Sequence, residues 1–338
     1  MSRLSMLELG RLLGVDRATV SRALSEDKAH LVAAATRERI RKEATRLGFS
    51  PDAAAATLRR GRSRTIGILT PDLLNEVLVR VVRGTVSYLN RNTVEASRII
   101  PLIGETGDRP EEFRRLVRAF LARRVDAIIS LASTERDTAE LSEAAKQVPV
   151  VLAVRSLSGA AFPSALCDDR EGGALAARHL GARGHRVVCQ IQGPRRATTF
   201  KNRAQGFARV CRKAKLIESP ARIEVGWATT LEGKLALTSI LEAKPRPTAV
   251  FAHNDALALG LIEAMRERGM ECPGDLAVVG FNNTEISKVL AVPLTTVEYP
   301  VAEVSRRAGE LVEALILDRT APWESGTFAP TLIQRAST

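Results

Sequence analysis

Hydrophobic positions over the first fifty residues repeat at the spacing of an α-helix, and no part of this stretch alternates as a β-strand does. The repeat is broken at Gly14 and again around residues 25–31, which divides it into three groups. These groups are Leu4, Leu7, Leu9, Leu12 and Leu13; Val20 and Leu24; and Ile40, Ala44 and Leu47. We therefore expect a compact all-α bundle of three helices that ends at Gly48.

The pattern changes at Thr65, after which short β-branched runs alternate with amphipathic helical stretches. Such alternation predicts parallel sheets covered by helices. The stretch is long for a single sheet, so we expect two α/β lobes. The predicted strands cover residues 65–70, 96–102, 125–131, 148–154, 186–193, 248–254 and 275–282, with helices such as 111–124 and 171–184 between them.

The segment SPDAAAATLRRGRSR, residues 50–64, lies between these two regions. Pro51 suits the first turn of a helix and the alanine run favours one, but the segment has almost no apolar face beyond Leu58. A helix of ~10 residues is marginal by itself because nucleation is costly. We expect a linker that is only conditionally helical, and hence three parts: residues 1–49, 50–64 and 65–338.

Composition is typical of a soluble globular protein, with 45% hydrophobic and 26% charged residues. No run approaches the ~18 apolar residues of a transmembrane helix, so we expect no membrane partner. Charges interrupt the apolar positions near the N-terminus, so we expect no signal peptide and a cytoplasmic location. The four cysteines form no CxxC pair, which indicates reduced, buried thiols.

The positive charge is distributed unevenly along the chain, and this gives a first indication of a partner. The net charge is +12, and residues 1–64 hold fourteen Lys and Arg against seven Asp and Glu. A basic surplus in one small segment indicates a polyanionic partner.

The segment GVDRATVSRAL, residues 14–24, fits the turn and second helix of a helix-turn-helix. Asp16 is placed to cap the second helix, and the first residues of such a recognition helix face base edges in the major groove. Arginine can donate two hydrogen bonds to guanine, alanine offers a methyl contact to thymine, and hydroxyls suit phosphates. The predicted DNA contacts of this head are Ser5, Arg17, Ala18, Thr19, Ser21 and Arg22. The alternative is a basic surface helix of an ordinary bundle.

The order of helix-turn-helix, Pro/Ala linker and two α/β lobes resembles the LacI/GalR family of bacterial transcription regulators. The matching stretches are GVDRATVSRAL, TRERIRKEATRLGFSPDAAAATLRRGRSRTIGIL, DDREGGALAARHLGARGHRVV, PTAVFAHNDALALGLIEAMRERGMECPGDLAVVGFNNTE and PLTTVEYP. The resemblance covers essentially the whole chain. It implies a homodimeric repressor of palindromic operator DNA with periplasmic-binding-protein-like lobes.

In that family the linker is a hinge helix that becomes ordered when a dimer sits on its operator. The resemblance implies that Leu58 wedges into the minor groove, with Ala55 one turn earlier on the same face. Apolar wedges unstack a base step and bend the duplex. The alternative is that Leu58 packs on the following domain.

The resemblance also implies a small carbohydrate-type effector, which is a sugar, a sugar acid or a sugar phosphate, bound between the lobes. Ligands in such folds lie beyond the carboxyl ends of strands. The matching residues are Asp168, Phe200, Arg203, Trp227, Asn254 and Asn282, although capping or loop structure is the alternative for each polar one. Asn282 stands where the family usually has an aspartate, and an uncharged amide beside Arg203 and Lys201 favours an anionic effector.

Other function classes fit poorly. GWATTLEGKL, residues 226–235, has the wrong glycine spacing for a phosphate-binding loop, and no GxSxG occurs. The four histidines have no partner at metal-ligand spacing. We therefore expect no enzyme and no cofactor. A solute-binding protein that does not use DNA would lack the basic N-terminal bundle. Whether the effector acts as inducer or corepressor stays open.

Overall fold

A computed structural model describes residues 4–24, 29–49, 62–91, 98–159 and 161–338. The chain divides into two compact units, Met1–Ser63 and Arg64–Thr338. Most of the predicted hinge, including Ala55 and Leu58, lies outside the described residues.

The N-terminal unit consists of short helices whose ends are set by specific caps. Ser5 and Glu8 form a capping box at the start of α1, and Gly14 ends that helix with φ 64°. The Asp16 carboxylate accepts a hydrogen bond from the backbone N–H of Thr19 and so begins α2. The helices are α1 (Met6–Leu13), α2 (Arg17–Ala23) and α3 (Ala34–Arg46), with a 3-10 turn at Ala29–Leu31. They pack around Leu9, Val20, Ala23, Val32, Ile40 and Ala44.

The C-terminal unit alternates strands and helices, as its sequence pattern predicts. Its strands are β1 (Thr65–Thr70), β2 (Ile100–Glu105), β3 (Ala127–Ser130), β4 (Val150–Ala153), β5 (Ser164–Cys167), β6 (Val187–Gln192), β7 (Ile217–Glu224), β8 (Ala249–Ala252), β9 (Ala277–Asn282), β10 (Thr295–Glu298), β11 (Gly326–Phe328) and β12 (Thr331–Ile333). Its helices are α4 (Glu76–Leu89), α5 (Pro110–Ala122), α6 (Thr138–Ala145), α7 (Asp169–Ala182), α8 (Thr198–Ala214), α9 (Thr230–Glu242), α10 (Asp255–Glu267), α11 (Glu285–Lys288) and α12 (Val301–Leu317).

Two sheets define two lobes. Over the described residues, lobe 1 has the strand order β11-β5-β4-β3-β1-β2 and lobe 2 has the order β12-β10-β9-β8-β6-β7. Neighbouring strands are parallel except for the antiparallel pair β10 and β12. Strands β4, β8 and β9 are buried along their whole length because helices cover both faces of each sheet.

The chain passes between the lobes at the ends of β5, β10 and β11 within residues 161–338. These crossings bring the carboxyl ends of both sheets toward one cleft, which is where such folds bind ligands. The two-lobed α/β architecture with a helical N-terminus is thereby confirmed. None of the helices within the described ranges has the length and apolarity needed to cross a membrane.

Two features of the strand prediction were wrong. The second strand, predicted over residues 96–102, begins at Ile100 within the described residues and extends to Glu105. Strands β5, β7, β10, β11 and β12 were not predicted. Several of these are short or lie at sheet edges, so they lack the continuous apolar run that identifies a buried parallel strand.

Candidate functional site: a recognition helix and an interlobe cleft

The first candidate site is the outer face of α2. Arg17, Ala18 and Arg22 are exposed, whereas Val20 and Ala23 are buried in the helical core. The helix therefore presents two guanidinium groups and a methyl group on the side opposite to its packing face. This is the arrangement that a helix needs in order to enter a major groove.

The hydroxyl-bearing residues of this unit also form local contacts. Ser5 accepts a hydrogen bond from the Glu8 backbone N–H at 3.2 Å, which leaves its hydroxyl proton available for a phosphate. The Thr19 hydroxyl donates to the Asp16 carboxylate at 2.8 Å, so it is occupied as a donor. Ser21 is half-buried on α2.

The second candidate site is a cleft between the lobes of the C-terminal unit. Lobe 1 lines it with Asp72, Asn75, Leu78, Asp108 and Arg155, among others. Lobe 2 contributes Phe200, Arg203, Trp227, Thr229, Asn254 and Asn282, and Tyr299 joins from a crossing segment. Five of the six predicted effector residues therefore come together in one place.

Arg203 is the most firmly held residue of the cleft. It is 4% exposed, and its Nε donates to the Asp169 carboxylate at 2.8 Å. Its Nη1 donates to the backbone carbonyl of His253, and its guanidinium lies 3.5 Å from the centre of the Phe281 ring. No described residue accepts a hydrogen bond from Nη2. Both N–H groups of Nη2, on a rigid guanidinium, thus remain for a ligand.

Burial controls the ionisation of the groups around Arg203. Burial raises the pKa of the Asp169 carboxyl to about 6, against the opposing effect of the Arg203 charge. Burial, assisted by the same guanidinium, holds the pKa of His253 well below its usual value. His253 is therefore a neutral ring, and its Nε2 lies 2.9 Å from the Gln190 amide oxygen.

The two predicted asparagines differ in which of their side-chain hydrogen-bonding groups are free. The Asn254 side chain caps α10 by accepting from the Leu257 N–H, and its amide donates to the Ala228 carbonyl at 2.8 Å. Asn282 is 6% exposed at the end of β9, with φ 116°. Its side-chain amide makes no hydrogen bond to the described residues, so both its donor and its acceptor are free for a ligand.

Asp168 does not belong to this cluster. Its carboxylate caps α7 by accepting from the Glu171 N–H at 2.9 Å, and it does not line the cleft. The neighbouring Asp169 is the acidic residue that binds Arg203. Lys201 is exposed and also lies outside the cleft lining. It therefore brings no charge to the pocket wall.

An acidic residue that the sequence did not single out joins the two lobes. Asp108 accepts from Arg155 of lobe 1 at 2.6 Å and from Arg196 of lobe 2 at 3.1 Å. Arg196 also donates to the Gly226 carbonyl at 2.9 Å and lies over the Trp227 ring. The carboxylate of Asp108 therefore holds the mouth of the cleft together through an ion pair on each side.

Known proteins resemble the chain over nearly its whole length. Residues 177–338 match the family model for a periplasmic binding protein-like domain. The HTH-type transcriptional repressor PurR of Vibrio cholerae serotype O1 (strain M66-2) is 30% identical over 329 residues, which is 97% of this chain and 96% of that protein. The chain belongs to the LacI/GalR family.

Solved structures of the LacI/GalR family share the fold of this chain. A LacI-family transcriptional regulator from Silicibacter pomeroyi superposes with a TM-score of 0.82 at 25% identity and covers 99% of both chains. The lac repressor dimer, solved with operator and an anti-inducer, gives a TM-score of 0.82 at 23% identity, again over 99% of both chains. The protein is accordingly a ligand-responsive, DNA-binding transcription regulator.

Within this LacI/GalR member, the sequence did not point to Asp108, Arg155, Arg196 or Tyr299 as residues of the cleft. Only Tyr299 had a signal, because it lies in the stretch PLTTVEYP that carries the family resemblance. The other three follow strands or turns, and only the tertiary fold brings them to the cleft.

Proposed function

We propose that two copies of this chain bind a pseudo-palindromic operator and that a small carbohydrate-type effector in the interlobe cleft controls that binding. The effector is a sugar, a sugar acid or a sugar phosphate. We keep the division into residues 1–49, 50–64 and 65–338 as DNA-binding head, hinge and effector-binding part.

The observation that carries the DNA-binding part is the exposed face of α2. Arg17, Ala18 and Arg22 read base edges, while hydroxyls of the same unit contact phosphates. We assign the phosphate contacts to Ser5, Thr19 and Ser21, and the Thr19 hydroxyl makes its contact by turning its single proton from Asp16 to the phosphate. The buried Val20 and Ala23 fix the orientation of the helix, because their packing leaves only this face for DNA.

We assign the central minor-groove contact to the hinge. Leu58 inserts between base steps and Ala55 lies on the same face, as the family resemblance implies. The bend that such a wedge produces allows additional contacts along the duplex.

The effector part of the proposal rests on free hydrogen-bonding groups beside aromatic faces. Arg203 and Asn282 provide the free polar groups, and Phe200 and Trp227 provide apolar walls that suit the face of a sugar ring. Asn254 keeps its place as an effector residue through the second proton of its amide. Because Arg203 and Arg155 are each paired with a carboxylate, the cleft suits neutral sugars as well as sugar acids.

The homodimer is proposed to form on an exposed apolar strip of the C-terminal unit. Leu74 is 94% exposed, Val289 is 75% exposed and Ile286 is 50% exposed. The Glu285 N–H donates to the Glu76 carboxylate at 3.4 Å, which brings the start of α11 in lobe 2 to the start of α4 in lobe 1. A second copy that buries this strip removes apolar surface from water on both partners.

Selection of DNA from a random pool by the purified protein, repeated across salt concentrations, tests the proposal. We expect enrichment of a palindrome, and an affinity that falls steeply with salt because phosphate contacts release counterions. Weak binding without sequence preference, in the presence and absence of pooled sugars and sugar acids, would contradict the assignment of α2 as a reader of bases.

A further inference from the structure

The ion pair between Asp108 and Arg196 crosses the mouth of the cleft from one lobe to the other. Asp108 follows β2 of lobe 1, and Arg196 lies between β6 and α8 of lobe 2. The Asp108 carboxylate accepts a hydrogen bond from Arg196 Nε at 3.1 Å. Next to this pair, the Thr198 hydroxyl of lobe 2 accepts from the Ser156 N–H of lobe 1 at 3.1 Å. Contacts between side chains and backbone of the two lobes therefore hold the mouth of the cleft.

Asp108 is fixed within lobe 1 by Arg155. Its carboxylate accepts from Arg155 Nη1 at 2.6 Å and from Nη2 at 3.4 Å, and Nη1 also donates to the Ala132 carbonyl at 3.1 Å. The side chains of Asp108 and Arg155 are 3% and 7% exposed. A buried charge is costly only when it is left without a partner. Asp108 can therefore lose Arg196 and still be neutralised by Arg155.

The backbone at Asp108 has an uncommon conformation. Its φ is 52°, in the left-handed region, and its N–H donates to the Thr106 hydroxyl oxygen at 3.2 Å. This conformation costs free energy in a residue that has a Cβ atom, and such strain is concentrated at functional sites. The turn after β2 thus holds the carboxylate at the boundary between the lobes, where it lines the cleft.

Arg196 is held less firmly at this boundary than Arg155. Its side chain is 37% exposed, and its contact with Asp108 is the longer of the two. Within lobe 2 its Nη2 donates to the Gly226 carbonyl at 2.9 Å, and its guanidinium lies 5.0 Å from the centre of the Trp227 ring. These two contacts do not depend on lobe 1. Arg196 therefore stays with the Trp227 wall of the cleft when the lobes separate.

We propose that Asp108 and Arg196 form a releasable latch across the mouth of the effector site. Opening of the cleft breaks this one ion pair, while Arg155 stays on Asp108 and Arg196 stays beside Trp227. The inference rests on the proposed carbohydrate-type effector, which enters and leaves through this mouth. The latch stabilises the closed arrangement, in which the walls of both lobes contact the effector, and it therefore slows effector dissociation.

The first arm of the test follows Trp227 in the protein alone. The sequence has two tryptophans, so a Trp323→Phe background leaves Trp227 as the single emitter. Asp108→Asn changes a residue of lobe 1 and keeps an oxygen that can accept from Arg155. We expect this variant to increase acrylamide quenching of Trp227, because the open arrangement becomes more populated. A folded Asp108→Asn protein with unchanged quenching would overturn the proposal.

Salt provides a measurement that does not require Asp108→Asn to fold. Salt weakens an ion pair that is partly open to solvent, so quenching by the neutral acrylamide should rise between about 0.05 M and 0.5 M sodium chloride. We expect Arg196→Gln to abolish this rise. The matched control is Arg195→Gln, which removes the adjacent arginine that pairs with Glu224 of its own lobe at 3.7 Å and keeps the rise. Quenching that does not respond to salt, or a response that persists in Arg196→Gln, would overturn the proposal.

The second arm measures dissociation of D-ribose, D-glucose, D-gluconate and D-glucose 6-phosphate by stopped-flow fluorescence. For each compound that the wild type binds, we expect Arg196→Gln to release it about two- to fivefold faster, the factor that a partly exposed ion pair supplies. Arg196→Lys keeps a positive charge opposite Asp108 and should restore most of the slow dissociation, and Arg195→Gln should release at the wild-type rate. Equal rates for Arg196→Gln and wild type would overturn the proposal.

The failure of the latch and the failure of the proposed function give different results. If the wild type binds none of the four compounds, the carbohydrate class is contradicted. The quenching measurements still decide whether Asp108 and Arg196 hold the lobes together, because they need no effector.

Discussion

At the scale of single residues, the N-terminal unit orients the two arginines of α2 toward solvent by burying the apolar residue between them in its core. Arg17 and Arg22 project from α2 into solvent, and Val20 on the opposite side packs with Leu9 and Ile40. A side chain that is exposed and outside the helical core is available for a base edge at little energetic cost. The function of α2 therefore depends on exposed residues that the packing of the core does not involve.

We expect Arg22→Ala to reduce affinity for the selected operator by about 10- to 100-fold, because a bidentate arginine–guanine contact contributes about 1–3 kcal/mol. Fluorescence anisotropy with operator and with scrambled DNA gives both affinities. Arg46→Ala is the matched control, since it removes one exposed arginine charge of the same unit, which forms an ion pair with Glu43. Equal losses in the two variants would mean that Arg22 acts as a general charge and reads no base.

The stability of the protein depends on pH through the buried carboxyl of Asp255. Asp255 is 1% exposed and accepts hydrogen bonds from Thr296 and from the backbone and hydroxyl of Thr284. Burial nevertheless raises the pKa of its carboxyl to about 6. A carboxyl whose pKa is higher in the folded state stabilises the fold below the pKa of the unfolded chain, and this contribution is lost as pH rises through about 6.

We therefore expect the free energy of unfolding of the wild type, relative to Asp255→Asn, to fall by an amount on the order of 2 kcal/mol between pH 4 and pH 7. Denaturant unfolding at several pH values measures the difference. Asp318→Asn is a control of opposite sign, because hydrogen bonds from Thr320 lower the pKa of the exposed Asp318 carboxyl. A flat difference for Asp255→Asn would contradict the raised pKa.

At the scale of elements, the cleft depends on two helices that approach unusually closely. A Cβ atom on Gly173 of α7 would lie 2.0 Å from the Arg203 carbonyl oxygen, and one on Gly206 of α8 would lie 1.8 Å from that of Arg170. Both glycines are therefore required by the contact between the helices. That contact places the Arg203 side chain against Asp169 at the start of α7.

Gly173→Ala is expected to destabilise the protein by about 1–3 kcal/mol, because the new methyl group forces α8 away from α7. The displacement also moves Arg203, so effector affinity falls with stability. Gly181→Ala, on the same helix but with its nearest neighbour at 3.4 Å, is the control, and it is expected to be neutral or slightly stabilising. Urea unfolding of the three proteins measures this, and equal stability of Gly173→Ala and wild type would show that the helices can separate freely.

Several elements of the fold could be predicted from the sequence alone. Buried strands such as β1 and β9 were predicted because their continuous apolar runs report two covered faces. The helix-turn-helix followed from local signals, with Asp16 at a cap and Gly14 at φ 64°. These features depend on nearby residues, so periodicity and capping rules suffice for them.

The cleft could be predicted only in part. Asn254 and Asn282 were found because they end apolar runs, and the ends of parallel strands share one edge. Asp168 and Asp169 are adjacent, and no local rule says which of them caps α7 and which turns toward Arg203. The Asp108 ion pairs join residues that are far apart in the chain, and the pair with Arg196 also depends on how the lobes pack.

At the scale of the whole molecule, recognition of a pseudo-palindromic operator as proposed requires two copies of the chain. The strip of Leu74, Ile286 and Val289 lies on lobes that also form the effector cleft. A ligand that changes the relation of the lobes therefore also changes the proposed dimer surface. Coupling between two such sites is typically about 1–3 kcal/mol, which is enough to decide whether a marginal hinge helix forms.

Val289→Asp is expected to dissociate the proposed homodimer into monomers and to weaken operator binding by about 100-fold or more, because the two heads no longer bind as one molecule. Sedimentation gives the mass and anisotropy gives the operator affinity. Leu317→Asp, at the comparably exposed end of α12, is the control for adding a charge to an exposed apolar position. A Val289→Asp protein that remains dimeric would place the interface elsewhere.

The most direct test of the proposed control is the affinity for the selected operator, measured by anisotropy with and without D-ribose, D-glucose, D-gluconate or D-glucose 6-phosphate. We expect at least one compound to change this affinity by about 5- to 150-fold. The same compound should have no effect on Trp227→Ala, which removes an exposed wall of the cleft without touching the head. Loss of affinity identifies an inducer and gain identifies a corepressor. Tight, specific operator binding that none of the compounds alters would contradict control by a carbohydrate in the cleft.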